Sequence, residues 1–594
     1  MPYSHPPPPP VTGSGWRRSV AGAARVLSPR GALALHRVDG ALAFALRAAL
    51  AMAVPAVPMA LAGRSEQAVY AMLGSFTTTF GRNLPYAHRA RVLALVAVAM
   101  TACVGCGSAL AVWAHPRAGG AGAAAVVAAM AAVAGVAKYA CDAARLSGLG
   151  AVLLLFSFAV AANGSPAPDD VLPQTALAAA GAALAWALAV SGWFVHPDRP
   201  QRLAVAAALR DLAELLEALG EGNGSGLTRH RATAATLQAY RSLGIMPPTA
   251  AERGERGGVY VRLTDLSWSL LIGSARRSPD DPAGLACHLR RQVRLLISRR
   301  RRVPPLLPEL SLASLIAQAS TVPGTAGTKR DAAYPTTRRA TELRAAELVT
   351  GQRPGGAGHL SVLLVPALRI VLGTGLAGGL ALLLGLGHGY WAAISAAAVL
   401  HSINVRTAAQ RAVQRTLGTV AGLVLALGVL AMRPDPVVLV LVIVLLEFLL
   451  EYVVARNYGL GVVFLTPLAL LMTDLAAPAP AGTLVQDRAL SSLLGIVVGL
   501  ACGLLVVHGH AAVRAERALG ACTEAAEHAE RALAERAEPS FPVVQTHLAA
   551  AVVELREADD AAAGELWQAE IDPTELAAAE QRAYLLLERL LRWR

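Results

Sequence analysis

The sequence predicts an all-α integral membrane protein: two parallel repeats of about six transmembrane helices, each followed by a cytosolic helical region. Hydrophobic residues make up 55% of the 594 residues and charged residues only 16%, whereas soluble domains are about one quarter charged. Apolar residues gather in two long stretches, 41–196 and 361–508, and the two stretches resemble each other. Each is long enough for about six helices, since one crossing takes about 20 residues.

The alternation of apolar and polar stretches divides the chain into five parts. Arginines interrupt the N-terminal region before an apolar segment forms, so we do not expect a cleavable signal peptide there. We predict a disordered cytosolic tail (1–40), a first transmembrane block (41–196), a cytosolic helical domain (197–360), a second transmembrane block (361–508) and a cytosolic helical C-terminal region (509–594).

The net charge of +13 comes mainly from arginines outside the apolar stretches. A basic surface can bind nucleic acid, but it is also typical of the cytosolic side of a membrane protein. The run at 299–302 is therefore interpreted as solvated or facing lipid headgroups. The expected partner is the lipid bilayer, and no nucleic acid.

Three pairs of short matches support an internal duplication. Ala-Leu-Arg occurs at 45–47 and at 367–369, and Val-His ends the stretches at 195–196 and 507–508. Between them, the segment 144–150 matches 455–461. The spacing between the last two matches is almost the same in both halves, so we predict that the blocks are repeats.

Hydropathy predicts six spans in each block. In the first block they lie at 41–62, 66–81, 91–114, 119–137, 147–163 and 174–196, and in the second at 362–385, 388–404, 414–431, 436–454, 458–473 and 487–508. Several are shorter than about 20 residues, so we expect some to be tilted, broken or partly buried within the bundle.

The positions of the cations predict the orientation. Loops on the cytosolic side of membrane proteins carry an excess of lysine and arginine. Cations follow the second, fourth, eighth and tenth spans: Arg82, Arg89, Arg91, Lys138, Arg145, Arg406, Arg411, Arg415 and Arg456. Loops on the other side are poorer in cations and contain Asp169, Asp170, Asp435 and Asp474. Both termini are therefore predicted to be cytosolic, and an even number of spans makes the repeats parallel.

Two segments of the second block resemble the fusaric acid resistance (FUSC) family. They are Gly-Tyr-Trp-Ala-Ala-Ile-Ser at 389–395 and Arg-Ala-Val-Gln-Arg-Thr-Leu-Gly-Thr-Val-Ala-Gly at 411–422. The segment from 240–244 through Trp268 is similar to the cytosolic region of the same family. That family overlaps the aromatic acid exporters and is distantly similar to plant aluminium-activated malate transporters. The resemblance implies efflux of small organic anions across the cell membrane.

Arginines near the start of each block are candidate substrate-binding residues. Arg47 and Arg369 occupy equivalent places in the two repeats, several residues inside an apolar run. Ionisable residues within a membrane span are functional candidates, and the guanidinium fork suits a carboxylate. The alternative is that both side chains extend to the cytosolic headgroups.

Two glutamates are candidate proton-coupling residues. Glu447 and Glu451 are four residues apart in the tenth predicted span and therefore share one helical face. Unpaired carboxylates in hydrocarbon are costly, so they should pair or take up protons. A structural ion pair with Arg456 or Arg369 is the alternative to a proton relay.

Four further residues of the second block are candidate substrate contacts. Tyr390 and Trp391 can stack on an aromatic compound, or can anchor the span at the membrane interface. His401 and Asn404 close the eighth predicted span and can line a vestibule or form helix–helix hydrogen bonds. Arg488 begins the last span and is either an outer anion contact or a headgroup anchor.

The sequence motifs favour transport over catalysis. The chain has no GxxxxGK[ST], HExxH or GxSxG motif, so we expect no catalytic residue, no metal and no cofactor. The predicted function is secondary efflux of small organic anions, aromatic or carboxylated, driven by the proton-motive force. A passive anion channel and a membrane scaffold with partner-binding cytosolic helices are the alternatives. Glycines at 373–379 permit a homodimer or close packing within one bundle.

Overall fold

The protein is all-helical in the part of the chain that its structure, a computed structural model, describes. That part comprises residues 40–82, 84–116, 119–144, 146, 150–164, 167–222, 226–247, 258–275, 279–298, 305–310, 357–402, 405–505, 510–537, 540–562 and 572–592. Residues 1–39 of the predicted tail, the arginine run at 299–302 and Asn404 lie outside these residues.

The first block contains six helices, which follow the predicted spans in order. They are α1 (Ala41–Leu61), α2 (Ser65–Ser75, continued by a 3₁₀ turn Phe76–Thr79), α3 (Tyr86–Ala114), α4 (Gly120–Ala143), α5 (Gly150–Ala162) and α6 (Val171–Val195). Four further helices follow: α7 (Arg199–Gly220), α8 (Gly226–Leu243), α9 (Val259–Gly273) and α10 (Pro282–Ile297).

The second block again contains six helices with the same order of long and short elements at its start. They are α11 (Ala357–Leu383), α12 (Tyr390–Leu400), α13 (Val405–Ala431), α14 (Pro436–Val453), α15 (Tyr458–Ala476) and α16 (Ala481–Leu505). The C-terminal part forms α17 (His510–Ala534), α18 (Phe541–Ala562) and α19 (Pro573–Arg592).

Nine of the described block helices are long and apolar enough to cross a membrane. The predicted spans 66–81, 147–163 and 388–404 are instead the short helices α2, α5 and α12. An 11-residue helix is about 16 Å long, while the hydrocarbon core is about 30 Å thick. Every residue of α5 and α12 is buried, so these helices are held inside the bundle rather than facing lipid.

The two blocks pack against each other in a reciprocal way. Helix α1 of the first block packs on α14 of the second, and α11 of the second packs on α4 of the first. The short helices follow the same rule, since α2 contacts α15 and α12 contacts α5. These contacts have the pattern expected of duplicated blocks, while the duplication itself stays a prediction from the sequence.

The helices that follow the two blocks share one hydrophobic core outside the membrane blocks. Helices α7–α10 and α17–α19 contribute to it. Trp268 Nε1 donates to Gln545 Oε1 at 3.1 Å, and the hydroxyls of Thr233 and Tyr584 are 2.9 Å apart. Burial raises the pKa of Tyr584 to about 12, so its hydroxyl stays protonated and able to donate. We call this unit the extramembrane bundle.

Candidate functional site

The short helix α12 lies at the centre of the second block. Small residues along α12 and α16 let the two backbones approach closely. A Cβ added at Gly495 of α16 would lie 2.2 Å from the carbonyl oxygen of Ala392, and Gly499 packs in the same way against Ala396. Glycine is therefore required at 495, and the close contact brings the polar face of α16 to the start of α12.

A row of aromatic side chains crosses from the first block to the second at this point. The ring of Phe76 contacts Phe156 edge-on at 5.9 Å, and Phe156 stacks on Trp391 at 5.7 Å. The rings of Trp391 and Tyr390 are 4.8 Å apart. Both residues of the tyrosine–tryptophan pair are buried within the bundle, so the membrane-interface interpretation of them is wrong.

Arg488 of α16 lies over the indole of Trp391, with its guanidinium carbon 3.5 Å from the ring centroid. It is only 2% exposed, which excludes the headgroup-anchor interpretation. Its Nε and Nη1 have no hydrogen-bond partner in the structure. A cation over an aromatic face gains some electrostatic stabilisation, but buried guanidinium donors without acceptors are costly. Arg488 is therefore a buried cation with unused donors.

Arg415 of α13 is a second buried arginine close to Arg488. It donates from Nη2 to Ser395 Oγ at 3.1 Å and from Nη1 to Tyr458 Oη at 3.3 Å, while its Nε has no partner. Arg415 is 2% exposed, and the like charges of the two guanidiniums repel each other. We call Arg415 and Arg488 the arginine pair.

The charge of the arginine pair is not balanced by an ion pair in the described residues. The ion pairs described within the membrane blocks join Arg82 to Glu451, Lys138 to Asp142 and His388 to Asp487. The buried hydroxyls of Thr419 and Ser492, each four residues after one arginine, also have no partner. An anion bound here would balance the charge and accept from these unused donors.

Arg369, one of the two arginines predicted to bind substrate, lies at the opposite end of α12. Its Nη2 donates to the carbonyl oxygens of Leu400 at 2.7 Å and Ser402 at 2.6 Å. The last carbonyls of a helix have no partner within the helix, and Leu400 and Ser402 at the end of α12 are buried. Arg369 therefore caps the buried C-terminus of α12, a role that the sequence analysis did not consider.

We expect Arg369→Gln to lower the thermal midpoint, because it removes charge-assisted hydrogen bonds worth about 1.5–3 kcal/mol each. The thermal midpoint of Arg369→Lys should lie between those of Arg369→Gln and the native chain, since lysine keeps the charge but lacks the guanidinium fork. Thermal unfolding in detergent, with anion affinity measured on the folded fraction, checks the role. A loss of affinity at unchanged stability would return Arg369 to the substrate site.

Arg47, its counterpart in the first block, is half-buried. Its Nη1 donates to the carbonyl oxygen of Ala189 on α6 at 3.2 Å, and its guanidinium lies 5.4 Å from the ring of Phe44. The hydrogen bonds described above for Arg47 and Arg369 thus run to acceptors in their own blocks. The substrate-binding hypothesis for Arg47 stays a prediction.

The two glutamates of α14 are buried, and one of them contacts the first block. Glu451 is paired with Arg82, whose Nη2 is 3.5 Å from the carboxylate and 3.0 Å from the Glu451 carbonyl oxygen. The sequence analysis named Arg456 and Arg369 as partners and did not connect Arg82 to this acid. Glu447 is 1% exposed, and its Oε2 has no hydrogen-bond partner.

His401 directly follows α12 and is half-buried beside Ser402, at the end that Arg369 caps. It therefore lies at the opposite end of α12 from Tyr390 and Trp391. The structure does not bring His401 to the arginine pair, so the predicted substrate residues that the structure describes do not form one cluster. Helix α12 separates Tyr390 and Trp391 at its start from Arg369 and His401 at its end.

The comparisons with known proteins bear on the same block. Residues 376–502 match the family model described as "Fusaric acid resistance protein-like". The resemblance to the fusaric acid resistance family is confirmed. The matched residues contain Trp391, Glu447, Glu451 and the arginine pair. The chain is also 24% identical over 478 residues to "Uncharacterized membrane protein YvaC" of Bacillus subtilis (strain 168), covering 77% of this chain and 71% of that protein. No solved structure matches.

Arg415 is the functional candidate that the sequence analysis missed. It was counted among the cytosolic loop cations and belongs to the segment 411–422 that resembles the family. Its place in the third turn of α13, four residues before Thr419, puts it inside the bundle. A buried cation at this point can be recognised only if the helix begins at Val405, before the apolar run.

Proposed function

We propose that the chain is a transporter that exports small organic anions and binds their carboxylate at the arginine pair. The buried charges of Arg415 and Arg488, which form no ion pair with an acid of the described residues, carry this proposal. Ionisable groups inside the membrane are costly and mark substrate pathways. A bound carboxylate would satisfy the unused donors of both side chains.

The aromatic residues have a different role in this proposal from the one predicted. Because Arg488 covers a face of the Trp391 indole, an aromatic substrate cannot stack on that face while the arginine is in place. Trp391 therefore positions Arg488, and the site recognises the carboxylate rather than the ring. Aromatic and aliphatic carboxylates of similar size should then both be accepted.

The location of the protein is part of the same proposal. The family match and the nine long apolar helices support a membrane protein. The cations near the ends of the spans support a cell membrane with the extramembrane bundle and both termini on the cytosolic side.

Flux through vesicles tests the transport proposal. The purified protein is reconstituted in liposomes loaded with benzoate, and efflux is followed with the pH gradient and the membrane potential set separately. We expect efflux of benzoate and of hexanoate, and no protein-dependent efflux of benzyl alcohol, which has no charge. Flux that follows the potential and ignores the pH gradient would indicate the channel alternative. Absence of flux for every anion would leave the scaffold alternative and overturn transport.

A further inference from the structure

A cavity of about 290 Å³ lies between the two blocks on the membrane face opposite the extramembrane bundle. Its walls come from both blocks: the start of α2, the ends of α5 and α15, and the loop before α12. Among the residues that line it are Glu66, Asn163, Asp170, His388, Tyr390 and Thr473.

The short helices explain why a cavity exists at this place. Helix α12 is about 16 Å long and cannot cross a hydrocarbon core of about 30 Å. Its inner end is capped by Arg369, whereas its outer end, at Tyr390, opens on the cavity. Irregular backbone at membrane depth is tolerated only inside protein or beside a water-filled cavity. The cavity therefore supplies the polar environment that the outer ends of α5 and α12 need.

The floor of the cavity adjoins the arginine pair. The hydroxyl of Tyr390 is 3.4 Å from Thr473 Oγ1, and both residues are buried. The Tyr390 ring contacts Trp391, and the guanidinium of Arg488 lies over the Trp391 indole. Tyr390 and Trp391 thus lie in series between the cavity and Arg488.

The rim of the cavity is acidic. Glu66 and Asp170 are exposed, and His388 at the rim is hydrogen-bonded to Asp487 at 2.8 Å. An acidic mouth lowers the local concentration of anions at the surface, and this effect falls with ionic strength. A carboxylate that has left the site would be slow to return.

We infer that this cavity is the aqueous outer vestibule through which the anion leaves, that the contact between Tyr390 and Thr473 is its inner gate, and that the acidic rim opposes rebinding from outside. The inference rests on the proposed function, because the anion released is the one held by the arginine pair. It adds the route, the gate and a rim that weakens competition by external anions.

Thiol labelling tests the vestibule without any transport assay. In a full-length chain lacking its six natural cysteines, Asn163→Cys and Thr473→Cys report on the wall and the floor. We expect both to react with an impermeant thiosulfonate added from the face opposite the bundle. A cationic reagent should react about 3- to 10-fold faster than an anionic one at low salt. The variants Glu66→Gln and Asp170→Asn together should remove this preference, and Glu554→Gln, in the extramembrane bundle, is the matched control.

Rebinding is measured in the vesicles used for transport. External benzoate should inhibit efflux about 2- to 5-fold more strongly in the double rim variant than in the native chain, because local anion concentration follows the surface potential. Unreactive cysteines at both positions in the folded protein, reactive after denaturation, would overturn the vestibule even if transport is observed. If the cysteines react but the protein transports no anion, the cavity is aqueous but is not an exit route. That result would also refute the transport proposal. Equal inhibition in the rim variant and the native chain would overturn the role of the rim.

Discussion

Replacing either member of the arginine pair should abolish anion transport while leaving the protein at least as stable. Arg488→Gln removes a buried charge that has an aromatic contact and unused donors but no ion-pair partner in the described residues. Loss of one partner of a buried charge-assisted contact costs about 2–5 kcal/mol of binding. We therefore expect at least about a 30-fold loss of benzoate affinity, since 1.4 kcal/mol is about tenfold.

The expected effect on stability has the opposite sign. Arg415 and Arg488 are buried close together with like charges. Removing one charge relieves this repulsion and the cost of its desolvation, which is several kcal/mol for a buried ion. The thermal midpoint of Arg488→Gln or Arg415→Gln should therefore stay or rise. Residues that bind ligands commonly show such a trade between activity and stability.

Thermal unfolding with and without benzoate measures both effects. Benzoate should raise the midpoint of the native chain, because a ligand that binds only the folded state stabilises it, and should not shift either variant. Arg514→Gln is a matched control, since Arg514 pairs with Glu554 at 2.8 Å in the extramembrane bundle, and its benzoate shift should be native. A variant of the pair that unfolds at a lower temperature but keeps its benzoate shift would show that the arginines are structural.

The sequence predicted the class of fold because long apolar helices leave a strong local signal. The boundaries failed where charges lie inside a helix. Helices α3 and α13 begin at Tyr86 and Val405, earlier than predicted, because their first turns carry arginines that lower the hydropathy. Whether a short apolar segment crosses the membrane or is buried depends on its neighbours, as the wholly buried α12 shows. Local composition cannot supply that information.

The candidate site was predictable only in part for a related reason. Trp391 and the two glutamates stood out as unusual residues in apolar runs. The contact of Arg82 with Glu451 joins residues 369 positions apart, and the approach of Arg488 to Trp391 joins two different helices. Such pairings arise from the packing of the blocks. The sequence thus identified several of the ionisable residues but not the contacts that each of them makes.

Replacing both glutamates of α14 should uncouple transport from the pH gradient. Glu447 is buried with an unpartnered Oε2, and Glu451 is buried against Arg82 of the first block. If the two carboxylates carry the coupled proton, the variant Glu447→Gln with Glu451→Gln cannot bind it, although it keeps the shape of the site. One pH unit corresponds to about 1.36 kcal/mol, or about a tenfold accumulation ratio for each proton exchanged. For a gradient of one pH unit, we expect the native chain to accumulate the anion by that ratio and the variant to show no accumulation.

The pairing of Glu451 with Arg82 also predicts what a substitution of Arg82 should do. A proton on Glu451 removes the charge that holds Arg82, so proton binding would loosen the contact between the blocks at that point. Arg82→Gln should therefore mimic the protonated state: transport continues, but its rate becomes less sensitive to pH on the side of the extramembrane bundle. Glu554→Gln, outside the membrane blocks, is the matched control. Accumulation that still follows the pH gradient in the double glutamine variant, together with a lower thermal midpoint, would assign Glu447 and Glu451 to a structural ion pair.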